Sequence, residues 1–382
     1  VIRLLKFDII HPREYLDKKK EEWDDLAGLS MKEYRERLIG LRSNYSDYYT
    51  HHLDQTEEWQ AEEFFLMDED YLSKAAKKSL GPKRFIHQAI AWVARRFLKD
   101  PKYYQRKVVQ SYIQDYQPDV IFVRSHPLPS STWKKFRGRS LLVARLSARL
   151  PYNWHPNDWD LLYTDLDNFK RFFELHGVPT IINDQGFDQR INQELKEREP
   201  QYECTFVGGL GTENFSRRTR LVHYVSRNCD FQWWGYWWQE GSDLAEFPGL
   251  EKTFRGSTSG LEMYQIYKDS KICLNDYVDT AGGIGFNQRM FEVMGVGGFL
   301  LTRRAPNFEE HFPEGIFATY ENDEDCIQKI QYYLDHPEER KQIAEAGRKY
   351  IAKNYDYSRI ALEFGEDCKE QLKKKNLLNS SS

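Results

Sequence analysis

Four glycine-rich stretches hold the residue types in this chain best suited to chemistry: VGGLGTENFSRR (207–218), WGYWWQEG (234–241), FRGSTSG (254–260) and DTAGGIGFNQR (279–289). Glycine lets a backbone come close to a ligand. A helix starting directly after such a loop turns its free N–H groups and positive dipole end toward an anion. In the fourth stretch Gly283 and Gly285 precede a helix expected to begin near Asn287, with Arg289 in its first turn. The segment reads equally as a pyrophosphate cradle or as a plain tight turn. Glu292 follows on the same helix, and a carboxylate can accept from two vicinal hydroxyls, as on a ribose. Its neighbours Met290, Phe291, Val293 and Met294 are apolar, so the helix reads as buried and the carboxylate needs a partner. Arg217, Arg218 and Arg220 follow the first loop. A guanidinium fork matches phosphate oxygens, a solvated helix face is the alternative reading, and Arg218 or Arg220 is the one able to point back. Tyr236, Trp237 and Trp238 come after Gly235 at a loop, whereas Trp233 and Trp234 read as core. In the first half His126, in VRSHPLP, follows a predicted strand. It reads as a sugar ligand, a base, or a loop histidine with no role. Asp165 and Asp184 follow strands in the same way.

These loops need strands to hold them. PDVIFVRSHP, SLLVARLS, DLLYTD and PTIIND are short apolar runs with polar exits, the pattern of buried parallel strands. A second series begins near residue 203 with ECTFVGG, DFQWWGYW, KICLND, GFLLTR and IFATY, alternating with helical segments. Strand–helix alternation predicts doubly wound α/β domains. Residues 17–40, 56–80 and 83–117 read as helical insertions between charged residues. The expected domains are 1–185, a polar linker at 186–202 containing Pro200, and 203–357, followed by a helix at 358–375 and a frayed tail at 376–382. The final helix puts Ile360, Ala361, Phe364, Cys368, Gln371 and Leu372 on one face, a stripe that must pack on something.

Composition narrows the function classes. A chain of 382 residues is comfortable for two cores. Net charge is −4, so there is no global basic field for nucleic acid or a membrane surface. Five cysteines at wide spacing without C-x-x-C argue against a disulfide framework and a zinc site, and point to a reduced, cytoplasmic protein. No apolar run is long enough to span a bilayer, and the opening VIRLLKFDIIHP reads as a buried strand rather than a signal peptide.

The stretches CTFVGGLGTENFSRRTRL, FRGSTSGLEMYQIYKDSKICLND, GFNQRMFEVMGVGGFLLTR and YENDEDCIQKIQYYLDHPEERKQIAEAGRKYI resemble, in order and spacing, the nucleotide-binding half of GT-B glycosyltransferases of family 4. The nearer resemblance is to the CgeB-like, spore-maturation-protein type. The first half is similar only through QPDVIFVRS, SLLVARLSARLP, DWDLLYTD and GVPTIINDQGFD. The resemblance implies an α/β fold of two Rossmann-like doubly wound domains facing across a cleft, the first binding the acceptor and the final helix crossing back to it. It implies that Glu292 binds ribose and that Gly208 and Gly209 form the first phosphate-side loop. Gly235 and the residues around Gly256 and Ser257 then fall where backbone meets base. Asn287 and Arg289 match the N-x-R-x-F-E pattern. The implied reaction is metal-independent transfer from a nucleoside-diphosphate sugar, UDP-linked, to a glycan, protein or small molecule, with no nucleic acid and no cofactor. Many family members carry a second, sugar-contacting glutamate where this chain has Ile284, which leaves the donor sugar open. A sugar-nucleotide epimerase and a non-catalytic sugar-nucleotide-binding protein are the alternatives the same fold allows.

Overall fold

The computed structural model describes residues 1–377 apart from 44–45, 147–149, 152, 183–184, 213–214, 238–245 and 278–286. The chain divides into two compact units: Val1–Ile10 with Lys19–Asp184 and Ser358–Ser382, and His11–Lys18 with Gln185–Tyr357.

The first unit is built on β1 (Ile2–Asp8), β2 (Trp59–Phe65), β3 (Val120–Val123), β4 (Leu141–Arg145), β5 (Leu161–Thr164) and β6 (Thr180–Ile182). They form one sheet in the order β2-β1-β3-β4-β5-β6, and each neighbouring pair runs parallel. β3 and β4 are buried along their whole length, because a parallel sheet covered on both faces demands continuous apolar runs. The helical reading of 56–80 is corrected over Trp59–Phe65, which is the edge strand β2, and only Glu69–Ser79 is helix. In the fold Glu63 sits opposite Lys6 in the β1–β2 register, buried, with Lys6 Nζ at 2.9 Å and the Thr50 hydroxyl donating at 2.7 Å. The stretch 17–40 is likewise two helices, Arg13–Glu21 and Met31–Gly40. Ser30 starts the second with a capping box to Glu33, which satisfies two backbone donors at once.

The helix Tyr357–Lys374 lays its stripe on the first sheet and on the helix Tyr48–Asp54. The Phe364 ring lies 5.2 Å from Tyr49, 4.6 Å from Phe122 and 5.4 Å from Tyr163, and the Tyr163 hydroxyl donates to Asp367 at 2.8 Å.

In the second unit β7 (Tyr202–Val207), β8 (Phe231–Trp234), β9 (Ser270–Asn275), β10 (Leu300–Arg303) and β11 (Ala318–Tyr320) form a parallel sheet in the order β11-β10-β9-β7-β8. Its core joins Phe206, Leu221, Trp233, Leu274, Leu301 and Tyr320 among others. The stretch 186–202, expected as a linker, folds into this unit. Phe187 and Ile191 are buried, and the Phe187 ring fills the space beside Gly295, where a Cβ would meet it at 2.2 Å.

Candidate functional site

The strands of an open parallel sheet point their carboxyl ends at one edge, and ligand-contacting loops leave from there. In the second sheet that edge is made by Gly208 and Gly209 after β7, Gly235 and Tyr236 after β8, and Asn275 and Asp276 closing and following β9. The ends of β7 and β8 touch. Gly208 N donates to Trp234 O at 2.9 Å, and Trp233 Nε1 donates to Gly208 O at 3.0 Å. Gly235 has φ +150°, and a Cβ there would lie 2.0 Å from Gly208 O. Only glycine allows this approach. The loop carrying Gly256 and Ser257 joins the same edge: Gly235 N donates to Gly256 O at 3.0 Å and Ser257 Oγ to Gly235 O at 3.1 Å.

The helix Gln288–Gly295 starts at this edge, capped by Asn287, whose side chain accepts from Met290 N at 3.3 Å. Asn275 orients both polar residues of the entry. Its Oδ1 accepts from Asn287 Nδ2 at 2.9 Å and from Arg289 Nη1 at 2.6 Å. The Arg289 guanidinium stacks 4.4 Å above the Phe206 ring and presses so closely on Gly208 that a Cβ there would lie 2.2 Å from Nη2. Its Nε is buried without a hydrogen-bond partner among the described residues. Arg289 is therefore a cation held by the neutral Asn275 against a glycine turn at a helix start, an arrangement that suits an anion.

The other arginines separate. Arg218 is buried, lies 4.1 Å over Phe215 and donates to Gly209 O, so it points back at the first loop. Arg220 is exposed. Arg217 donates to Asp276 at 3.0 Å, as does Arg303 from the end of β10. Asp276 is fully buried, and the two cations compensate its charge. Asn275 and Asp276 were not singled out from the sequence. Their signal was present, since two polar residues close a buried run at a strand's carboxyl end. Tyr264 and His11 were not singled out either; they reach the site through a hydrogen bond to Glu292 and a ring contact with Tyr236.

Glu292 lies one turn beyond Arg289. Burial pushes its carboxyl up to about 7, opposed by the Arg289 charge and by hydrogen bonds from Gln288 and Tyr264. The expected partners of a carboxylate on a buried helix are thus present. Tyr236 covers Gly209, where a Cβ would lie 2.8 Å from its ring, and packs edge-on at 5.0 Å against His11. Trp233 and Trp234 are buried, while Trp237 is partly buried 5.9 Å from Phe247. Gly283, Ile284, Gly285, Trp238 and Asp184 lie outside the described residues.

At the carboxyl edge of the first sheet His126 packs between Trp154 and Trp159, at 5.9 and 5.7 Å. Its Nε2 bonds Arg145 O at 2.9 Å, its Nδ1 is buried without a partner among the described residues, and burial pulls its pKa down to about 4. The ring is therefore a neutral imidazole and a weak base at neutral pH. Asp165 lies 3.6 Å from Arg145. No group of three or more His, Cys, Asp or Glu side chains suited to a metal occurs among the described residues, and no helix among them is long and apolar enough to cross a membrane.

Residues 217–365 match a family model described as glycosyl transferase-like. No curated protein sequence matches the chain. Among solved structures, HepE of Anabaena in complex with UDP-glucose superposes with a TM-score of 0.58 at 12% identity, covering 97% of this chain and all of that one (100%). The N-terminal domain of trehalose-6-phosphate phosphatase from Candida albicans gives 0.56 at 10% identity, over 97% of each chain. OtsA without ligand gives 0.55 at 10%, over 97% and 99%. The chain thus has the GT-B fold, and the stretch similar to the glycosyl transferase-like model lies mostly in its second unit.

Proposed function

We propose that the protein transfers a sugar from a nucleoside-diphosphate sugar, UDP-linked, to an acceptor. The observation that carries this reading is Arg289, held by Asn275 against the Gly208 turn one helical turn from Glu292, within the segment that matches a glycosyl transferase-like model. In this reading the Gly208–Gly209 loop, Arg289 and the Asn287-capped helix start receive the diphosphate. Glu292 accepts from the ribose hydroxyls. Gly235, Tyr236, Gly256 and Ser257 border the base. HepE, of the same fold, is described in complex with UDP-glucose, which supports the choice of donor. The N-x-R-x-F-E sequence at 287–292 supports placement with the CgeB-like type.

The leaving diphosphate gains negative charge as the glycosidic bond breaks. Arg289, braced by Phe206 and Asn275, is fixed where such charge is stabilised without reorganisation. We propose on this basis that transfer needs no divalent metal. Calorimetry with UDP in excess EDTA, followed by UDP release from UDP-sugars with and without an acceptor panel, tests both parts. Chelator-resistant binding and acceptor-dependent release are expected. Loss of binding with EDTA refutes metal independence, and donor conversion without acceptor replaces transfer by epimerisation.

A further inference from the structure

The helix Lys83–Phe97 in the first unit is inverted relative to an ordinary surface helix. Its buried residue is Ala94, and toward the helix Tyr103–Tyr116 it offers polar atoms, with His87 Nδ1 3.3 Å from the Tyr103 hydroxyl and Gln88 Nε2 3.4 Å from that of Tyr104. Its apolar residues face outward: Phe85, Ile86, Ile90, Trp92, Val93 and Phe97, with Trp92 and Phe97 each 67% exposed. At 3.6 residues per turn these fall on one wide face. An amphipathic surface helix normally buries that face against the core, so a contiguous exposed patch of this kind marks an interaction site.

Charge indicates the occupant. Between Lys83 and Lys107 the chain has eight lysines and arginines against one carboxylate, Asp100, and Arg106 holds that one at 2.7 Å. Lys83, Arg95, Arg96 and Lys99 are exposed around the apolar face, and no ion pair to them occurs among the described residues. The net charge of −4 averages this patch away. A second copy docked on the same face would bring like charges together in a desolvated interface, which is costly. A helix with Trp and Phe on one side and Lys and Arg beside them suits the boundary between anionic headgroups and acyl chains. Fifteen residues span only about 22 Å, short of a ~30 Å hydrocarbon core, so such a helix lies in the interface rather than crossing it.

We propose that the helix Lys83–Phe97 seats this protein on an anionic lipid surface, with Trp92 and Phe97 below the headgroups and Lys83, Arg95, Arg96 and Lys99 against their phosphates. The proposal does not depend on the sugar-transfer reading. The test is flotation of the full chain with vesicles of phosphatidylcholine alone or with about 30 mol% phosphatidylglycerol, at low and high salt. The wild type is expected to float with the anionic vesicles only and to be released by salt. Trp92→Ser/Phe97→Ser removes the apolar anchor. Arg95→Glu/Arg96→Glu removes the electrostatic one and weakens partition by roughly tenfold or more. All four side chains are exposed, so circular dichroism and melting should match the wild type. No flotation of the wild type with anionic vesicles overturns the proposal, as does flotation unchanged in both variants. A dimer in light scattering that Trp92→Ser dissolves, with vesicles left unbound, assigns the face to a second copy instead.

Discussion

Glu292→Gln should move stability and affinity in opposite directions. Burial raises the Glu292 carboxyl from an ordinary 4.5 to about 7. A rise of that size corresponds to about 3 kcal/mol, and partial solvent access reduces it to about 2 kcal/mol. The sign follows from proton uptake. Between 4.5 and about 7 the folded protein holds this proton while the unfolded chain has released it, so stability is lost as pH rises through that window. Glutamine keeps the shape and stays neutral. The two proteins should melt together at about pH 4.5, and at about pH 8 the variant should melt higher by roughly 5 °C. Binding should run the other way. Losing a charged acceptor for the ribose hydroxyls costs about 1.5–3 kcal/mol, roughly ten- to a hundredfold in affinity for UDP. Scanning calorimetry and titration calorimetry at both pH values measure the pair. The wild type's affinity should also fall below about pH 7 beyond what the ligand's own phosphate, with a pKa near 6, produces; the Gln variant records that ligand contribution alone. A folded variant with unchanged affinity removes Glu292 from the site, and equal melting at high pH removes the buried-carboxyl argument.

Three further outcomes follow. Arg289→Ala should weaken UDP by roughly tenfold or more and, at about pH 8.5 where Glu292 stays ionised, uridine far less; an equal loss for both ligands at that pH, read by titration calorimetry, places the arginine away from the phosphates. Gly235→Ala puts a Cβ 2.0 Å from the Gly208 carbonyl at φ +150° and should destabilise the second unit by about 3 kcal/mol, so an unchanged melting profile would contradict the contact between the β7 and β8 ends. Phe364→Ala empties a site enclosed by Tyr49, Phe122 and Tyr163 and should cost the first unit about 3–5 kcal/mol in urea unfolding without altering UDP affinity; a surface-like loss below ~0.5 kcal/mol refutes the burial.

Much of the second unit could be read from local pattern, because each signal there is contained within a few residues. CTFV followed by GG is a buried strand that must turn sharply, and Asn287 before QRMFEV is a helix cap whatever surrounds it. Glu292 stood out because its neighbours are apolar, and Met290, Phe291, Val293 and Met294 are all buried, with Glu292 half-buried among them. Among Arg217, Arg218 and Arg220 the sequence left Arg218 and Arg220 as alternatives for the residue that points back. Their types and spacing are alike, and only the positions of Asp276, Gly209 and solvent assign one to an ion pair, one to the loop and one to the surface.

The amino-acid sequence by itself determined the parallel α/β architecture, the glycine turns at the strand ends and the helix that starts at Asn287, since buried apolar runs, missing Cβ atoms and capping side chains act over short range. Tertiary structure alone decided where the charges go. Lys6 and Glu63 are 57 residues apart and become a buried pair across β1 and β2, turning an apparent helix into an edge strand. The helix Lys83–Phe97 carries an unremarkable amphipathic pattern, yet its apolar face points to solvent. Periodicity says that such a face exists, but the neighbours brought by the rest of the chain determine whether it is covered.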